Sequence, residues 1–251
     1  MNSSRVKKFA LLSTISILFT AGLGCSTPQS KPVPQISAEA SQSLETPAVS
    51  RSAGIHSPAE ALAALQEGNR RFIDGQPFKA NYLHQVALTK DHQAPFAAIV
   101  SCLDSRIPPE IVFDQGIGDV FVARVAGNIE DDNIIGSLEF ATHVKNAKLI
   151  LVMGHTGCGA VVGACKDVKL GHLTQLLDQI QPAVKAVKAR YPQLTADSTA
   201  FQDQVAEENV RHTLADLHKK SSVIARLVHE GKLELVGGMY DVATGRVRIL
   251  K

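Results

Sequence analysis

The stretch Lys148-Leu149-Ile150-Leu151-Val152-Met153-Gly154-His155-Thr156-Gly157-Cys158-Gly159 indicates the fold more clearly than any other part of the chain. Its first half is an apolar run of the kind found in strands that are buried on both faces. Polar side chains follow where this strand ends, and a short helix is expected over residues 160–165. A buried strand that leads through a glycine turn into a helix is typical of an α/β protein.

The rest of the chain repeats this alternation of strands and helices. Ser57, Pro58 and Glu60 occupy the cap, first and third positions of a helix that ends at Gly75. Further strands are predicted over residues 96–101, 119–126, 232–239 and 247–250, and further helices over 134–144, 173–190 and 199–219, the last continuing toward residue 230. We therefore expect an α/β fold with a mainly parallel central sheet flanked by helices, in one domain over residues 57–251.

The first 25 residues have the features of an export signal. A positively charged start precedes an uncharged, mostly apolar run over residues 9–23, which is short for a membrane span of roughly 20 residues. Small residues before Cys25 suggest a lipoprotein signal with a lipid anchor on this cysteine, and an ordinary secretory signal is the alternative. Residues 26–56 are predicted to be a flexible linker. The expected location is the periplasm, free or tethered to a membrane.

Charge and cysteine content limit the possible functions. The net charge of +2 is small and argues against a nucleic-acid binder. Disulfides would be the first expectation for the four cysteines of an exported protein. The residues around Cys102 and Cys158 favour a metal site instead, whereas Cys165 is predicted to be a small buried apolar residue.

Two clusters carry the residues suited to chemistry. Cys102-Leu103-Asp104-Ser105-Arg106 follows one predicted strand, and His155-Thr156-Gly157-Cys158 follows another. Ligands of open α/β sheets bind at such strand ends, most often where the strand order reverses. An extended chain would turn Cys102 and Asp104 to the same side, and the start of a helix would favour a thiolate at Cys158. Two thiolates and an imidazole are a plausible zinc set, although each cluster alone is also compatible with an ordinary core cysteine or histidine.

From about residue 57 to the C-terminus the sequence resembles the β-class carbonic anhydrases. Cys102-Leu103-Asp104-Ser105-Arg106 is similar to the first signature of that family, and Gly154-His155-Thr156-Gly157-Cys158-Gly159 to its second metal motif. The segments Gly118–Asn128 and Ser137–Ala141 resemble two further family motifs, in the same order and spacing.

The resemblance implies a role for each residue of the two clusters. Cys102, His155 and Cys158 would bind one Zn²⁺ per subunit, and hydroxide on the zinc would attack carbon dioxide to give bicarbonate and a proton. Arg106 would hold Asp104 as a bidentate partner, and Asp104 would accept a hydrogen bond from the zinc-bound water. If Asp104 instead rotated onto the zinc, it would become a fourth protein ligand and block hydroxide formation.

The resemblance also implies a substrate pocket and an oligomer. Gln93 and Phe121 match family positions that bind or wall the substrate, and in the family the counterpart of Gln93 reaches the metal of a neighbouring subunit. We therefore expect a homodimer or a higher even oligomer.

The chain also departs from the family at a position near the pocket, since Phe140 stands where many members of the plant-like branch have tyrosine. Because the chain has no tryptophan, the bicarbonate pocket that stabilises the blocked state in some members is incomplete, and we expect an open site without cooperative inhibition by bicarbonate.

Two other functions are compatible with the sequence. The first is a family member that holds zinc or senses bicarbonate without turnover, which the intact Asp104 and Arg106 pair makes less attractive. The second is a thiol redox protein that uses Cys102 and Cys158, which the absence of a Cys-x-x-Cys sequence weakens.

Overall fold

A computed structural model describes residues 54–250 of the chain. Its centre is a five-stranded sheet in the order β2-β1-β3-β4-β5. The strands are β1 (Ala97–Ser101), β2 (Val120–Arg124), β3 (Leu149–His155), β4 (Glu234–Tyr240) and β5 (Val247–Ile249). The first four are parallel, and β5 pairs antiparallel with β4. The mainly parallel α/β fold expected from the sequence is confirmed.

Helices connect the strands and surround the sheet. In chain order they are α1 (Pro58–Ile73), α2 (Tyr82–Thr89), α3 (Pro109–Val112), α4 (Asp132–Glu139), α5 (Gly159–Cys165), α6 (Gly171–Asp178), α7 (Gln181–Arg190), α8 (Thr199–Lys220) and α9 (Ser222–His229). A 3-10 turn covers Ala126–Asn128, and a π-helical turn over Phe140–Val144 extends α4. Within the described residues, no helix is long and apolar enough to cross a membrane.

Two of the predicted helices are each divided into two. The helix expected over residues 173–190 is divided into α6 and α7, because Pro182 in the first turn of α7 has no N–H with which to continue a preceding helix. The helix expected from residue 199 toward 230 is divided at Ser221, whose hydroxyl accepts the N–H of Ile224 and caps α9. The short helices α2 and α3 were not predicted.

The core lies along the two central strands. Every residue of β1 and β3 is buried, as their continuous apolar sequences predict. Helix α8 packs across β3 and β4, and Gly154 permits this close approach, since a Cβ atom there would lie 2.7 Å from Cγ2 of Val210. Helix α8 is thereby placed beside the end of β3, where the second metal motif begins.

The start of α1 matches the predicted capping sequence. The Ser57 hydroxyl accepts the N–H of Glu60, and the Glu60 carboxylate accepts the N–H of Ser57. The signal expected over residues 1–25 and the linker expected over 26–56, except for its last three residues, lie outside the described part of the chain.

Candidate metal centre

The two metal motifs meet where the sheet reverses its strand order. From β1 the sheet continues to β2 on one side and to β3 and β4 on the other. Cys102 directly follows β1, and His155 is the last residue of β3. Cys158 lies three residues further on, at the N-cap of α5. The carboxyl ends of adjacent parallel strands form the crevice in which α/β proteins bind ligands, so the fold itself brings the two motifs together.

Three buried side chains converge in this crevice. One ligand atom each of Cys102, His155 and Cys158 lies within 4.8 Å of the other two. The two sulfur atoms are 3.9 Å apart, which is too far for a disulfide. Two sulfurs bound at about 2.3 Å to a tetrahedral zinc would be roughly 3.8 Å apart. The spacing of the sulfurs therefore fits a shared metal ion.

The orientation of His155 also fits a metal ligand. Its Nδ1 lies 3.0 Å from the backbone oxygen of Thr156, and because a carbonyl only accepts, Nδ1 carries the ring hydrogen. Nε2 is then a free lone pair, and within the described residues this fully buried atom has no hydrogen-bond partner. A buried polar atom without a partner is costly, and metal binding by the second ring nitrogen is the usual arrangement in histidine metal sites.

The two thiols differ in their readiness to lose a proton. A hydrogen bond from the Cys158 thiol is the largest influence that lowers the pKa of Cys102 to about 4, and smaller contributions in the same direction include the N–H groups of Gly127 and Asp104. The same hydrogen bond, together with burial, raises the pKa of Cys158. A second thiolate beside the first is unfavourable unless a cation lies between them, and a divalent metal ion supplies that charge.

Asp104 lies at the edge of this cluster and is held by Arg106. Nε of Arg106 donates to Oδ1 at 2.9 Å and Nη2 donates to Oδ2 at 2.7 Å, which is the bidentate arrangement that the resemblance implied. These hydrogen bonds lower the pKa of Asp104 to about 2. Oδ2 of Asp104 is 4.0 Å from Nε2 of His155. The carboxylate therefore faces the cluster while its oxygens are engaged by the guanidinium.

Known proteins are similar to this chain in sequence and in fold. A family model described as carbonic anhydrase matches residues 97–247. Carbonic anhydrase 2 of Mycobacterium tuberculosis is 37% identical over 196 residues, which are 75% of this chain and 91% of that protein. Among solved structures, the β-carbonic anhydrase CafA of Aspergillus fumigatus superposes with a TM-score of 0.63 at 28% identity, over 77% of this chain and 90% of that one. The chain belongs to the β-carbonic anhydrases.

A second fungal structure bears on assembly. It is one of two β-carbonic anhydrases of Sordaria macrospora that are described as tetrameric. It superposes with a TM-score of 0.62 at 27% identity, over 67% of this chain and 86% of that one.

Arg124 is a residue of this β-carbonic anhydrase whose role the sequence did not reveal. It ends β2, and its guanidinium donates from Nε to the backbone oxygen of Cys102 at 3.1 Å and from Nη2 to that of Asp104. Arg124 thus holds the backbone on both sides of Leu103. The available signal was an arginine between the apolar residues 120–123 and 125–126 of the predicted second strand.

The second motif is also fixed by residues from outside it. The Thr156 hydroxyl accepts the N–H of Val242 at 3.1 Å, next to the end of β4. Asp203 on α8 accepts the N–H of Gly157, and burial raises the pKa of its carboxyl. Nη2 of Arg106 donates to the carbonyl of Gly157 at 3.3 Å, which links the two motifs directly.

Phe121, one of the two predicted substrate residues, lines a cavity within the chain. Phe121 and Phe140 meet edge to face, with ring centroids 6.2 Å apart, and both line a cavity of about 490 Å³. None of the metal-motif residues lines this cavity. Gln93 is exposed in the segment that leads into β1.

Cys165 was expected to be buried. It is half-buried against the core, and burial raises the pKa of its thiol to about 11.

Proposed function

We propose that this chain catalyses the reversible hydration of carbon dioxide to bicarbonate and a proton, with one zinc ion per subunit bound by Cys102, His155 and Cys158. The convergence of these three ligand atoms within 4.8 Å, in a family of carbonic anhydrases, carries the proposal. When bound, zinc supplies Lewis-acid chemistry, since it lowers the pKa of water to roughly 7 and so provides hydroxide at neutral pH.

Asp104 orients the nucleophile in this proposal. A carboxylate with a pKa of about 2 is ionised at neutral pH and only accepts hydrogen bonds. A water or hydroxide beside it must therefore direct its O–H toward Asp104 and its lone pair away from it. Arg106 holds both carboxylate oxygens, and this pairing keeps Asp104 from taking the place of the water. The pair thus keeps one position open for the substrate water, as a catalytic zinc requires.

The substrate pocket is completed by a second copy of the chain. Gln93 of one copy would donate an amide hydrogen bond to an oxygen of carbon dioxide or bicarbonate at the other copy. Phe121 and Phe140 would supply an apolar wall suited to carbon dioxide. The support is the tetrameric description of the Sordaria macrospora relatives, together with the cavity that Phe121 and Phe140 line, which none of the metal-motif residues borders.

Zinc analysis and a hydration assay on the same preparation test the proposal. Protein that lacks residues 1–25 should contain one zinc per chain and accelerate carbon dioxide hydration in a stopped-flow indicator assay. His155→Ala should lose the zinc and more than about 100-fold of the activity, because two remaining ligands bind too weakly. Cys165→Ser is the control, since this half-buried cysteine is not part of the cluster and its replacement should leave zinc and turnover unchanged.

Each alternative function gives a different result in this experiment. Stoichiometric zinc without hydration would identify a protein that only binds zinc or bicarbonate. Rapid reaction of Cys102 and Cys158 with a thiol reagent, in protein without zinc, would identify a redox protein.

Bicarbonate inhibition should follow a simple saturation curve, because Asp104 is engaged by Arg106 and the chain has no tryptophan. A sigmoidal collapse of activity would contradict the open site.

We also infer that the protein is exported and tethered to a membrane through Cys25. The support is the charged start, the short apolar run and the small residues before this cysteine. Mass spectrometry of protein from fractionated cells should find an N-terminus at Cys25 with an attached lipid in the membrane fraction. An intact residue 1 in the cytoplasmic fraction would contradict export, and a cut elsewhere without lipid would identify an ordinary secretory signal.

A further inference from the structure

A strained turn lies directly beside the metal cluster. Gly127 and Asn128, in the 3-10 turn after β2, have φ angles of 73° and 45°. Both values fall in the left-handed region, which is costly for a residue with a side chain. Glycine is favoured at position 127 by its positive φ, and a Cβ atom there would also require the Ile180 side chain to shift, since its Cδ1 would be 2.7 Å away. Glycine adopts this conformation freely and asparagine tolerates it, so the turn depends on neighbouring groups to hold its peptide groups in one orientation.

The turn supplies a hydrogen bond to one sulfur of the cluster. The N–H of Gly127 donates to Sγ of Cys102 at 3.3 Å. Cys158 obtains its backbone donors from Ala160 and Val161 in the first turn of its own helix, and Cys102 also has a local donor in the N–H of Asp104. The donors at Cys158 are therefore fixed locally by α5, whereas Gly127 lies 25 residues from Cys102 and must be held in place by other elements.

Helix α8 holds this turn with two buried polar side chains. Nδ2 of Asn209 donates to the carbonyl oxygen of Gly127 at 2.8 Å, and the hydroxyl of Thr213 donates to that of Asn128 at 3.2 Å. Both side chains are only 2% exposed. They lie one helical turn apart on a face that is otherwise apolar, where Val205 and Leu217 are fully buried. Buried polar groups on such a face are retained only where they have hydrogen-bond partners.

We propose that Asn209 is a positioning residue of the metal centre, which fixes Gly127 so that its N–H points at the metal-binding sulfur of Cys102. The carbonyl and the N–H of Gly127 flank the same Cα, and glycine alone has too much backbone freedom to hold both in place. The hydrogen bond from Asn209 removes that freedom at the carbonyl. Thr213 acts one residue further along, so it supports the turn without fixing the peptide hydrogen that reaches Cys102.

This inference rests on the proposed zinc site and predicts how the site responds to loss of the Asn209 amide. Outer partners of metal ligands typically contribute 10- to 100-fold to metal affinity. Asn209→Ala should therefore weaken zinc binding by on the order of tenfold. A thiolate that loses an N–H donor also becomes a better electron donor, so the sulfur-to-cobalt charge-transfer band of the Co²⁺-substituted protein should move to longer wavelength.

The test compares Asn209→Ala with Thr213→Val in the full folded chain, by chelator competition for zinc, by the absorption spectrum of the Co²⁺ form, and by thermal unfolding of the metal-free proteins. Both variants should lower the melting temperature, because each leaves a buried carbonyl unpaired. Only Asn209→Ala should weaken zinc binding and shift the cobalt band. Asn209→Ser, a smaller change, is measured alongside in case the alanine variant does not fold.

Two results would overturn the inference. One is an Asn209 variant with lower stability but unchanged zinc affinity and cobalt spectrum, which would make its role purely structural. The other is a Thr213→Val variant that changes both metal readouts as much as Asn209→Ala. A wild-type protein that binds no zinc would instead refute the proposed function, so the two failures are distinguishable.

Discussion

Asp104 is held by three hydrogen bonds from one residue. Arg106 donates to it from its backbone N–H, from Nε and from Nη2. These bonds lower the pKa of Asp104 from 3.8 to about 2. A carboxyl whose pKa is lower in the folded state than in the unfolded state stabilises the fold above the unfolded pKa, and this contribution disappears as the pH falls through the folded pKa.

Replacement of Asp104 by Asn should therefore cost stability in a pH-dependent way. The full shift would correspond to more than 2 kcal/mol, but the Arg106 side chain is 53% exposed, and solvent screening reduces the expected difference to about 1 kcal/mol. Urea unfolding of metal-free wild type and Asp104→Asn should show this difference at pH 7. It should shrink below about pH 4, be small near pH 2 and disappear at lower pH. A difference that stays constant down to pH 2 would show that the ion pair is not its source.

At the residue scale, the sequence revealed ligands more readily than the residues that hold them. Cys102, His155 and Cys158 lie in short contiguous motifs that follow strands, so their chemistry is visible in the sequence itself. Arg124 and Asn209 bind backbone carbonyls 22 and 82 residues away. A backbone carbonyl leaves no mark in a sequence, so these two roles emerge only when the fold brings the partners together.

At the element scale, burial determined what could be predicted. Strands β1 and β3 are wholly buried, and their apolar runs identified them to within two residues. Helix α2 has no buried residue within the chain, so no apolar stripe facing the core marked it. The break between α8 and α9 depends on a single serine cap, which is concealed because Leu217 before it and Ile224 after it keep helical spacing across the polar residues between them.

The close packing of helix α8 on strand β3 depends on Gly154. A Cβ atom at this position would lie 2.7 Å from Cγ2 of Val210 on α8 and 2.9 Å from Sδ of Met239 on β4. Gly154→Ala should therefore force α8 away from the sheet and destabilise the protein by roughly 1–3 kcal/mol, the usual cost of overpacking. Urea unfolding of the metal-free protein measures this directly.

Gly159→Ala is the matched control for that experiment. Gly159 begins α5, and a Cβ atom there would meet nothing within 4 Å. Alanine should be neutral at this position, or more stable by up to about 1 kcal/mol, because it favours the helix. Equal destabilisation of both variants would show that loss of glycine, and not the approach of α8, is responsible.

At the scale of the whole molecule, one chain leaves apolar surface without cover. Four apolar side chains of α2 are 45–67% exposed, those of Tyr82, Leu83, Val86 and Leu88. A helix of eight residues is marginal in isolation, and α2 is joined to the domain by few polar contacts, among them the N–H of Ile117 donated to Oε1 of Gln85. Contiguous apolar patches of this kind mark protein interfaces, which agrees with the proposed second copy.

Charge placed on α2 should therefore dissociate the oligomer and reduce activity without removing the metal. In Leu83→Glu/Val86→Glu two carboxylates would have to be buried at the interface, at a cost of several kcal/mol. We expect this variant to sediment as a monomer and to lose activity by on the order of tenfold, because misplacing a substrate-positioning group such as Gln93 has effects of at least this size. Its zinc content should remain that of the wild type, since one chain supplies all three proposed ligands.

His84→Glu is the control variant: it adds a charge at an exposed polar position of the same helix and should change neither assembly nor activity. A double variant that still sediments with the wild type would show that α2 is not the interface, and a wild-type monomer with full activity would show that the substrate site is complete within one chain.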